Sequence, residues 1–386
     1  MSTSINQPST MRIGPGALDA LPEILRGLGS QRPLIVTDPF LAGQGWGDRI
    51  LEPLSGTGIQ ARVFSETIPD PTTTSLRPGL EAAVLHDADC VVGFGGGSPI
   101  DTAKALALLA RQGGPMREFK APRRVTEPAL PIVAIPTTAG SGSEATQFTI
   151  ITDADTDEKM LCAGPSFLPA AAIVDVELTM SMPPRLSADT GVDALTHAVE
   201  AYVSRKANPF TDGVALTAMA AIPAALRRVW ADGADREARE TMMLAATQAG
   251  IAFSNASVAL VHGMSRPIGG HFHVAHGLSN AMLFPAVCRF SVGAAESRYA
   301  DCARAIGAAT PADDDAKAAL ALVEAVGQLC SDLDVPTPES YGIDRSRWEE
   351  RIPVMAQQAL ASGSPGNNPL VPSLAEIERL YLDIYR

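Results

Sequence analysis

The feature that most constrains the fold is an alternation of short apolar runs with helical patterns over residues 1 to about 180. Parallel strands need a long crossover connection between them, and that connection is usually a helix. Runs spaced in this way therefore predict βαβ units around a parallel sheet. The clearest strand-like runs are residues 34–37, 60–64, 90–94 and 131–135.

The second half of the chain has a different pattern. After Pro183 and Pro184, strand-like runs become rare, and Ala/Leu-rich segments with helical periodicity replace them, as at 211–230 and 316–333. Consecutive prolines favour an extended backbone, which marks a point of division. We therefore predict an α/β domain with a parallel sheet at 1–182 and an all-helical domain at 183–386.

Composition excludes several classes of protein. A formal net charge of −13 at pH 7 argues against general binding to nucleic acid or to anionic membranes. The polar N-terminus lacks the pattern of a signal peptide, and we expect a cytoplasmic protein without a membrane span. The five cysteines are scattered and lack CxxC spacing, so we expect buried free thiols.

Residues 362–369 are a loop by composition, either a passive turn or a lid.

A glycine-rich turn follows the run at 90–94 and precedes an Ala/Leu-rich helical pattern; it consists of Gly95, Gly96, Gly97 and Ser98. Strand, glycine turn and helix in this order direct backbone N–H groups and a helix N-terminus at a phosphate. Ser98 is predicted to cap the helix, with Asp101 as its capping-box partner. The turn departs from the GxGxxG fingerprint at its last position. For the turn alone, a tight connection without a ligand is therefore an equal alternative.

Two further strand ends carry polar groups suited to a nucleotide. Asp38 follows the run at 34–37, where a carboxylate accepts hydrogen bonds from ribose hydroxyls and repels a 2′-phosphate, which favours NAD over NADP. An Asp before a proline is also a common turn initiator. Residues 137–144 follow the run at 131–135 with hydroxyls and glycines that can bond a pyrophosphate. Two such loops in one sheet favour a dinucleotide site.

The histidines predict a metal site. Asp193 and His197 are four residues apart in a helical pattern, so both side chains lie on one helix face. By itself this spacing is more typical of an intrahelical hydrogen bond. The chain has six histidines, and His262 and His276 each precede a glycine, which leaves room for backbone to approach a ligand. One carboxylate and three imidazoles suit Fe²⁺ or Zn²⁺. Hydrogen-bonded core histidines are the less favoured alternative.

Four separated motifs resemble the iron-containing (group III) alcohol dehydrogenases, in the right order over nearly the whole chain. They are the glycine turn with Asp101, Ala103 and Lys104, the loop at 137–144, residues 191–197, and the segment from His262 to Gly277. The resemblance implies an N-terminal dinucleotide-binding domain at 1–182, an all-helical metal-binding domain at 183–386, and a cleft between them. It also implies an NAD-dependent alcohol dehydrogenase or aldehyde reductase, commonly a homodimer.

The resemblance also assigns roles to individual residues. The implied metal ligands are Asp193, His197, His262 and His276. The implied cofactor contacts are Asp38, Gly95, Gly96, Gly97, Ser98, Asp101, Thr137, Thr138, Ser141, Ser143 and Lys159. The residues implied to line the substrate pocket are Phe148, Ile150 and Phe253.

One position departs from the family pattern. Many members carry a histidine four residues after the third metal ligand, and this chain has Arg266 there. Arginine cannot shuttle a proton near neutral pH. We hypothesise that Arg266 instead binds an anionic group of the substrate or cofactor; an arginine paired with a neighbouring carboxylate or with loop carbonyls is an equal alternative. The proton then leaves through water, the cofactor ribose, His271 or His273.

Alternative functions share this fold. A maleylacetate-reductase-like or glycerol-dehydrogenase-like enzyme would use the same chemistry, although four ligand positions argue against a metal-free variant. A dehydroquinate-synthase-like lyase would need a strongly basic phosphate pocket, of which the sequence shows little sign. A non-catalytic nucleotide-binding protein would leave the metal ligands without a purpose. We expect NAD, one divalent ion (Fe²⁺ or Zn²⁺) and a small alcohol or aldehyde as partners.

Overall fold

The structure is a computed structural model and describes residues 3–386. The chain forms two compact units, Ile5–Ser181 and Met182–Arg386. The strands are β1 (Thr10–Ile13), β2 (Pro33–Val36), β3 (Arg62–Phe64), β4 (Cys90–Gly95), β5 (Ile132–Pro136), β6 (Phe148–Asp153), β7 (Glu158–Ala163) and β8 (Ala171–Val174). The helices of the first unit are α1 (Leu21–Gly27), α2 (Pro39–Gly43), α3 (Trp46–Arg49), α4 (Leu76–Leu85) and α5 (Gly97–Gln112).

The second unit is helical throughout its described elements. Its helices are α6 (Pro184–Val203), α7 (Pro209–Ala231), α8 (Arg236–Ala256), α9 (Leu260–Phe272), α10 (His276–Ser291), α11 (Glu296–Ala305), α12 (Asp315–Asp332), α13 (Pro338–Tyr341), α14 (Arg345–Ala361) and α15 (Leu374–Asp383). The predicted helical second half is confirmed, and α7 and α12 correspond to the periodic segments at 211–230 and 316–333.

Six strands of the first unit form one sheet in the order β1-β8-β5-β4-β2-β3, and every neighbouring pair is parallel. The predicted α/β fold with a parallel sheet is confirmed. Both faces of the sheet are buried, because alternate side chains of β4 enter different cores: Val91 packs in one cluster, and Val92 and Phe94 pack in the other. Burial on both faces explains why the central strands are continuous apolar runs.

The sequence did not predict β1, β8 or the separate antiparallel hairpin of β6 and β7. β1 lies at the sheet edge, is not fully buried and contains Thr10 and Arg12, so it lacks an apolar run. In the hairpin only alternate residues of β6 are buried. Short or half-buried strands such as these carry a weak hydrophobic signal.

The topology determines where the polar strand ends meet. β2, β4 and β5 are neighbours in a parallel sheet, so their carboxyl ends lie along one edge. Asp38, the glycine turn and the loop at 137–144 follow these three strands. The backbone N–H of Thr137 donates to the carbonyl of Gly95 over 2.9 Å, which joins the loop at 137–144 (the second loop) to the glycine turn. Open parallel sheets bind ligands beyond this edge.

In the second unit, α7 is long and apolar enough to cross a membrane by length and composition. It packs against α6, α8 and α11, and its buried side chains include Ala215, Met219 and Leu226. A buried core helix of a water-soluble protein has the same composition. The packing therefore accounts for the apolar character of α7 without a membrane.

The segment at 362–369, predicted as a loop, contains a short 3₁₀ helix, Ser364–Asn367. Ser364, Asn367 and Asn368 are buried. The Asn367 amide donates to Ser257 Oγ and to the carbonyl of Val258, over 3.0 and 3.1 Å. The segment is thus fixed to the helical unit by buried hydrogen bonds.

Candidate metal centre and nucleotide loops

Three helices bring together the residues that the sequence proposed as metal ligands. Asp193 and His197 lie one turn apart on α6, His262 lies in the first turn of α9, and His276 begins α10. One ligand atom from each residue lies within 4.8 Å of all the others. Asp193 Oδ1 is 3.4 Å from His262 Nε2 and 3.7 Å from His197 Nε2. The cluster thus combines a carboxylate with imidazoles from three helices.

The two glycines that follow the histidines permit close packing of protein segments. A Cβ on Gly277 would lie 2.5 Å from the carbonyl oxygen of Asp189, so the glycine lets α10 approach α6. A Cβ on Gly263 would lie 2.7 Å from the ring of Pro365. The expectation that these glycines leave room for a ligand is therefore wrong at both positions, because the neighbouring atoms belong to the protein.

The electrostatics of the cluster favour a cation. Burial alone would raise the pKa of the Asp193 carboxyl, but the three neighbouring imidazoles hold it well below its usual range. Burial lowers the pKa of His197 to about 3, so that ring is neutral at pH 7. Burial also opposes a proton on His262, yet Glu200 and Asp193 raise the pKa of its imidazole to about 9. The buried Asp193 carboxylate thus stays ionised within a cluster that favours positive charge.

Two further polar groups reach the cluster and were not predicted. Glu200 Oε2 lies 2.6 Å from His262 Nδ1, and Asn280 Nδ2 donates to Asp193 Oδ1 over 2.6 Å. Asn280 Nδ2 also lies 3.2 Å from the Nε2 atoms of His262 and His276. Their spacing was the available signal, since Glu200 is seven residues after Asp193 and Asn280 is four after His276.

The residues present fit a divalent metal. Ligands held about 2.1 Å from a tetrahedral ion lie about 3.4 Å from one another, which is close to the spacing of Asp193 Oδ1 from the two imidazole nitrogens. Within the described part of the chain, Asn280 Oδ1 is buried without a hydrogen-bond partner, which is unusual for a polar atom at this depth. Three imidazole nitrogens and one carboxylate form a donor set that suits Fe²⁺ or Zn²⁺.

Phe253, proposed to line the substrate pocket, lies on α8 and stacks on His197 with ring centroids 4.1 Å apart. The two histidines proposed to carry a proton lie at the end of α9, outside the ligand cluster. His271 Nε2 is 2.9 Å from Gln358 Oε1, and His273 is exposed, with a left-handed backbone that ends the helix. The structure therefore brings Phe253, but neither of these histidines, into contact with a proposed ligand.

Arg266 lies one turn after His262 on α9, with its Nε atom buried and without a partner. Its Nη1 donates to Ser364 Oγ over 3.1 Å. Burial lowers the pKa of Arg266 to about 10, and Glu200 opposes this shift, so the guanidinium stays charged at neutral pH. Among residues 3–386, the hydrogen bond that this guanidinium makes is to a hydroxyl of the segment at 362–369.

In the first unit, the glycine turn begins α5 earlier than expected. α5 starts at Gly97 with Gly96 as its N-cap, and no side chain caps it. The prediction that Ser98 caps the helix is therefore wrong, because Ser98 already lies within the first turn. The turn instead lies beside the second loop: a Cβ on Gly96 would lie 3.3 Å from Thr138, and one on Gly97 would lie 3.5 Å from Ser141.

Asp101 does not complete a capping box either. Its carboxylate accepts from the Ser143 hydroxyl over 2.7 Å and from the backbone N–H of Ile150 over 2.9 Å. Burial raises its pKa, and the neighbouring Lys104 ammonium opposes the rise. Asp101 therefore links α5 to the second loop and to β6, the strand that also carries Phe148.

The other proposed cofactor residues lie near the same turn. Asp38 Oδ1 caps α2 by accepting from the Leu41 N–H over 2.8 Å, which is the turn-initiating role left open by the sequence. A Cβ on Gly95 would lie 3.5 Å from its other oxygen, Oδ2. Lys159 Nζ pairs with Asp70 Oδ1 over 2.8 Å, and the Asp70 N–H donates to Ser98 Oγ over 3.3 Å. These contacts bring Asp38 and Lys159 to the glycine turn.

Two family models match successive parts of the chain. Residues 8–176 match "Iron-containing alcohol dehydrogenase", and residues 187–385 match "Fe-containing alcohol dehydrogenase family, C-terminal". The chain belongs to the iron-containing alcohol dehydrogenase family. The resemblance inferred from the four motifs is confirmed, and with it the assignment to oxidoreductases that act on alcohols and aldehydes.

Individual family members are similar over the full chain. The NAD-dependent methanol dehydrogenase of Bacillus methanolicus is 35% identical over 97% of this chain and 97% of its own. A crystal structure of 1,3-propanediol oxidoreductase superposes with a TM-score of 0.95 at 34% identity and full coverage of both chains. The sulfoacetaldehyde reductase of Bifidobacterium kashiwanohense, in complex with NAD⁺, has a TM-score of 0.89 at 27% identity, covering 100% of this chain and 99% of that one.

Proposed function

We propose that this family member transfers a hydride between NAD(H) and a small alcohol or aldehyde bearing an anionic group, with the help of one divalent metal ion. The cluster of Asp193, His197, His262 and His276 is the observation that carries the proposal. The relatives named for methanol, 1,3-propanediol and sulfoacetaldehyde support this reaction class. In this proposal residues 1–182 bind the dinucleotide and residues 183–386 bind the metal.

The four clustered side chains would hold the ion, either Fe²⁺ or Zn²⁺. When bound, such an ion supplies a Lewis acid that favours loss of the hydroxyl proton of an alcohol and polarises the carbonyl group in the reverse direction. Phe253 covers one face of the His197 ring, which excludes water from that side of the ligand. We assign Phe148 and Ile150 to the substrate pocket as well, on the strength of the family register alone.

The glycine turn and the loop at 137–144 would bind NAD. The free N–H groups at the start of α5 are suited to a phosphate, because Gly96 and Gly97 carry no Cβ that would separate it from the backbone. Asp38 Oδ2 remains available to a ribose while Oδ1 caps α2, and its charge disfavours a 2′-phosphate. The remaining cofactor contacts that we propose are Gly95, Ser98, Asp101, Thr137, Thr138, Ser141, Ser143 and Lys159.

Arg266 would bind the anionic group of the substrate. It lies on the same face of α9 as His262, one turn away, and its buried Nε has no hydrogen-bond partner among residues 3–386. A buried guanidinium donor left unpaired carries a desolvation cost that a carboxylate or sulfonate would relieve. His271, His273, water and the cofactor ribose stay candidates for passing the proton. We also infer a cytoplasmic homodimer.

Metal content and turnover test the reaction. We expect the purified protein to hold one iron or zinc ion per chain by mass spectrometry, and to oxidise NADH with short aldehydes. A chelator should abolish turnover, and either metal should restore it. Turnover that persists after the metal has been removed, or a metal-free protein with full activity, would contradict the proposed chemistry.

The Arg266→Ala variant tests the choice of substrate. Loss of a charge-assisted hydrogen bond of about 1.5–3 kcal/mol should raise KM for carboxylated or sulfonated aldehydes roughly 10-fold to 100-fold. KM for neutral aldehydes should change less than about twofold. The Arg266→Lys variant keeps the charge, so its KM for anionic aldehydes should lie between the values of the wild type and of Arg266→Ala. An unchanged preference for anionic over neutral aldehydes would exclude a substrate role, and a rise in KM for NADH alone would place the anion on the cofactor.

A further inference from the structure

A buried carboxylate outside the proposed ligand set contacts one of its members. Glu200 lies on α6, two turns after Asp193, and only 3% of its surface is exposed. Its Oε2 is 2.6 Å from His262 Nδ1, the ring nitrogen that faces away from Asp193. The opposite nitrogen, Nε2, is the one that lies 3.4 Å from Asp193 Oδ1. Glu200 and Asp193 thus lie on opposite sides of the same imidazole.

This arrangement determines which nitrogen carries the proton. An ionised carboxylate can only accept a hydrogen bond, so His262 Nδ1 must donate to it. A neutral ring protonated at Nδ1 has its lone pair on Nε2, which faces the ligand cluster. The carboxylate therefore selects the tautomer that can bind a metal through Nε2.

The same carboxylate also fixes the start of α9. The N-cap position of α9 is Ala259, which has no side chain that can bond the free N–H groups of the first turn. Glu200 supplies that function from α6, because Oε1 accepts from Val261 N–H over 2.6 Å and Oε2 accepts from Ala259 N–H over 2.9 Å. The backbone on both sides of Leu260 is thus held by the group that holds the His262 ring.

We propose that Glu200 is a positioning residue of the metal centre, which presents His262 Nε2 to the ion by fixing both the tautomer of the ring and the first turn of its helix. This inference rests on the metal site of the proposed function. Glu200 also adds a second carboxylate to that of Asp193. With three neutral imidazoles, the two carboxylates balance the charge of one divalent ion.

A purely structural role would make Glu200 a helix cap and nothing more. The Glu200→Gln variant separates the two roles, because an amide has only one acceptor oxygen and carries no charge. It cannot accept from Val261 N–H on one side and from His262 Nδ1 on the other. Tyr381→Phe is a matched control, since the Tyr381 hydroxyl is buried and donates to the carbonyl of Met264 on the same helix over 2.7 Å.

The experiment uses metal-free wild type, Glu200→Gln and Tyr381→Phe, with Zn²⁺ alone as the probe. Competition with a chromophoric chelator measures the affinity for zinc, and thermal unfolding measures the stability of each apoprotein. Nitrogen and carbon chemical shifts of labelled imidazoles report the tautomer, with His262 assigned by its absence in His262→Asn. We expect Glu200→Gln to bind zinc roughly 10-fold to 100-fold more weakly, the range found for groups that orient metal ligands.

The other readouts identify the cause. At a pH above 9, where the His262 ring of the apoprotein is neutral, we expect Nδ1–H on His262 in the wild type and a larger population of Nε2–H in Glu200→Gln. Tyr381→Phe should lose stability yet keep wild-type zinc affinity. Wild-type affinity in Glu200→Gln, or Nε2–H as the main tautomer of the wild type, would overturn the role of Glu200. If the wild type itself fails to bind zinc at one ion per chain, the proposed function falls, and this inference falls with it.

Discussion

Each unit of the molecule carries an aspartate on a helix, half-buried in the first unit and buried in the second, and the two aspartates are stabilised in opposite ways. Asp101, on α5, receives hydrogen bonds from Ser143 and Ile150 and lies near the Lys104 ammonium. Asp193, on α6, is surrounded instead by imidazoles and the Asn280 amide. Burial dominates at Asp101 and raises its pKa, whereas at Asp193 the imidazoles outweigh burial and lower it. Hydrogen bonds and an ammonium group stabilise Asp101, whereas Asp193 is kept ionised by the imidazoles of the proposed metal centre.

The difference shows in the polar atoms around the two aspartates. Near Asp101, Lys104 Nζ donates to the carbonyls of Thr146 and Phe148 and contacts Thr146 Oγ1, all within 3.0 Å. Near Asp193, Asn280 Oδ1 and His197 Nδ1 are buried without partners. A buried polar atom without a partner is costly, and two such atoms beside Asp193 are consistent with a group that binds there.

The largest effect should come from neutralising the two aspartates in turn. Asp193→Asn removes the charged ligand, so we expect loss of bound metal and a fall in kcat/KM of about 1,000-fold or more, equivalent to several kcal/mol. Asp101→Asn leaves one buried donor unpaired and should cost about 1–3 kcal/mol of stability while the metal content stays unchanged. Metal analysis and thermal unfolding of both variants test the contrast. Full metal occupancy in Asp193→Asn would remove the distinction between the two sites.

A smaller effect tests whether the first network is complete. Lys104→Met leaves the acceptors on Thr146 and Phe148 without their donor, and we expect a loss of about 1–3 kcal/mol in the free energy of unfolding. The matched control is Lys317→Met, because Lys317 is exposed and pairs only at the surface with Asp313. Lys317→Met should change the free energy of unfolding by no more than about 0.5 kcal/mol. Equal losses in denaturant titrations of the two variants would mean that the buried network contributes nothing.

The pH dependence of that stability has a defined sign. Burial lowers the pKa of Lys104 from 10.5 to about 8, so the unfolded chain holds the proton more firmly than the folded one. The resulting destabilisation is full below pH 8 and disappears as the pH rises towards 10.5. The stability of the wild type relative to Lys104→Met should therefore increase across this window. A flat difference would show that Lys104 titrates normally.

Sequence alone predicted the residues of a rare type and the residues that are close to their partners in the chain. His262 and His276 were found because histidines are few, and Asp193 and His197 because four residues make one helical turn. The parallel sheet followed from its apolar central strands. Glu200 and Asn280 were missed although each lies at helical spacing from a proposed ligand, because their contacts to His262 and Asp193 form only where α6, α9 and α10 pack together.

Errors at the glycine-rich positions had a different cause. Ser98 was expected to cap α5, yet the N-cap is Gly96, two residues earlier, and no side chain caps the helix. The glycines at 263 and 277 were expected to leave room for backbone to approach a ligand, but an added Cβ would meet Pro365 and Asp189 instead. A glycine marks close approach in a sequence, and only the fold shows what approaches.

The smallest effect concerns the boundary of the proposed metal centre. Gly263→Ala would bring a Cβ to 2.7 Å from Pro365, which must displace the segment that carries Ser364, the partner of Arg266. We expect a loss of about 1–2 kcal/mol in stability and a weaker preference for anionic substrates, with the metal retained. Gly270→Ala is the matched control on the same helix, because nothing lies within 4 Å of its added Cβ. It should stabilise the protein by up to about 1 kcal/mol, as expected for alanine in a helix. Calorimetry on both variants measures the stability, and competition between anionic and neutral aldehydes measures the substrate preference. If Gly263→Ala and Gly270→Ala give the same stability and preference, the segment at 362–369 does not hold Arg266 in place.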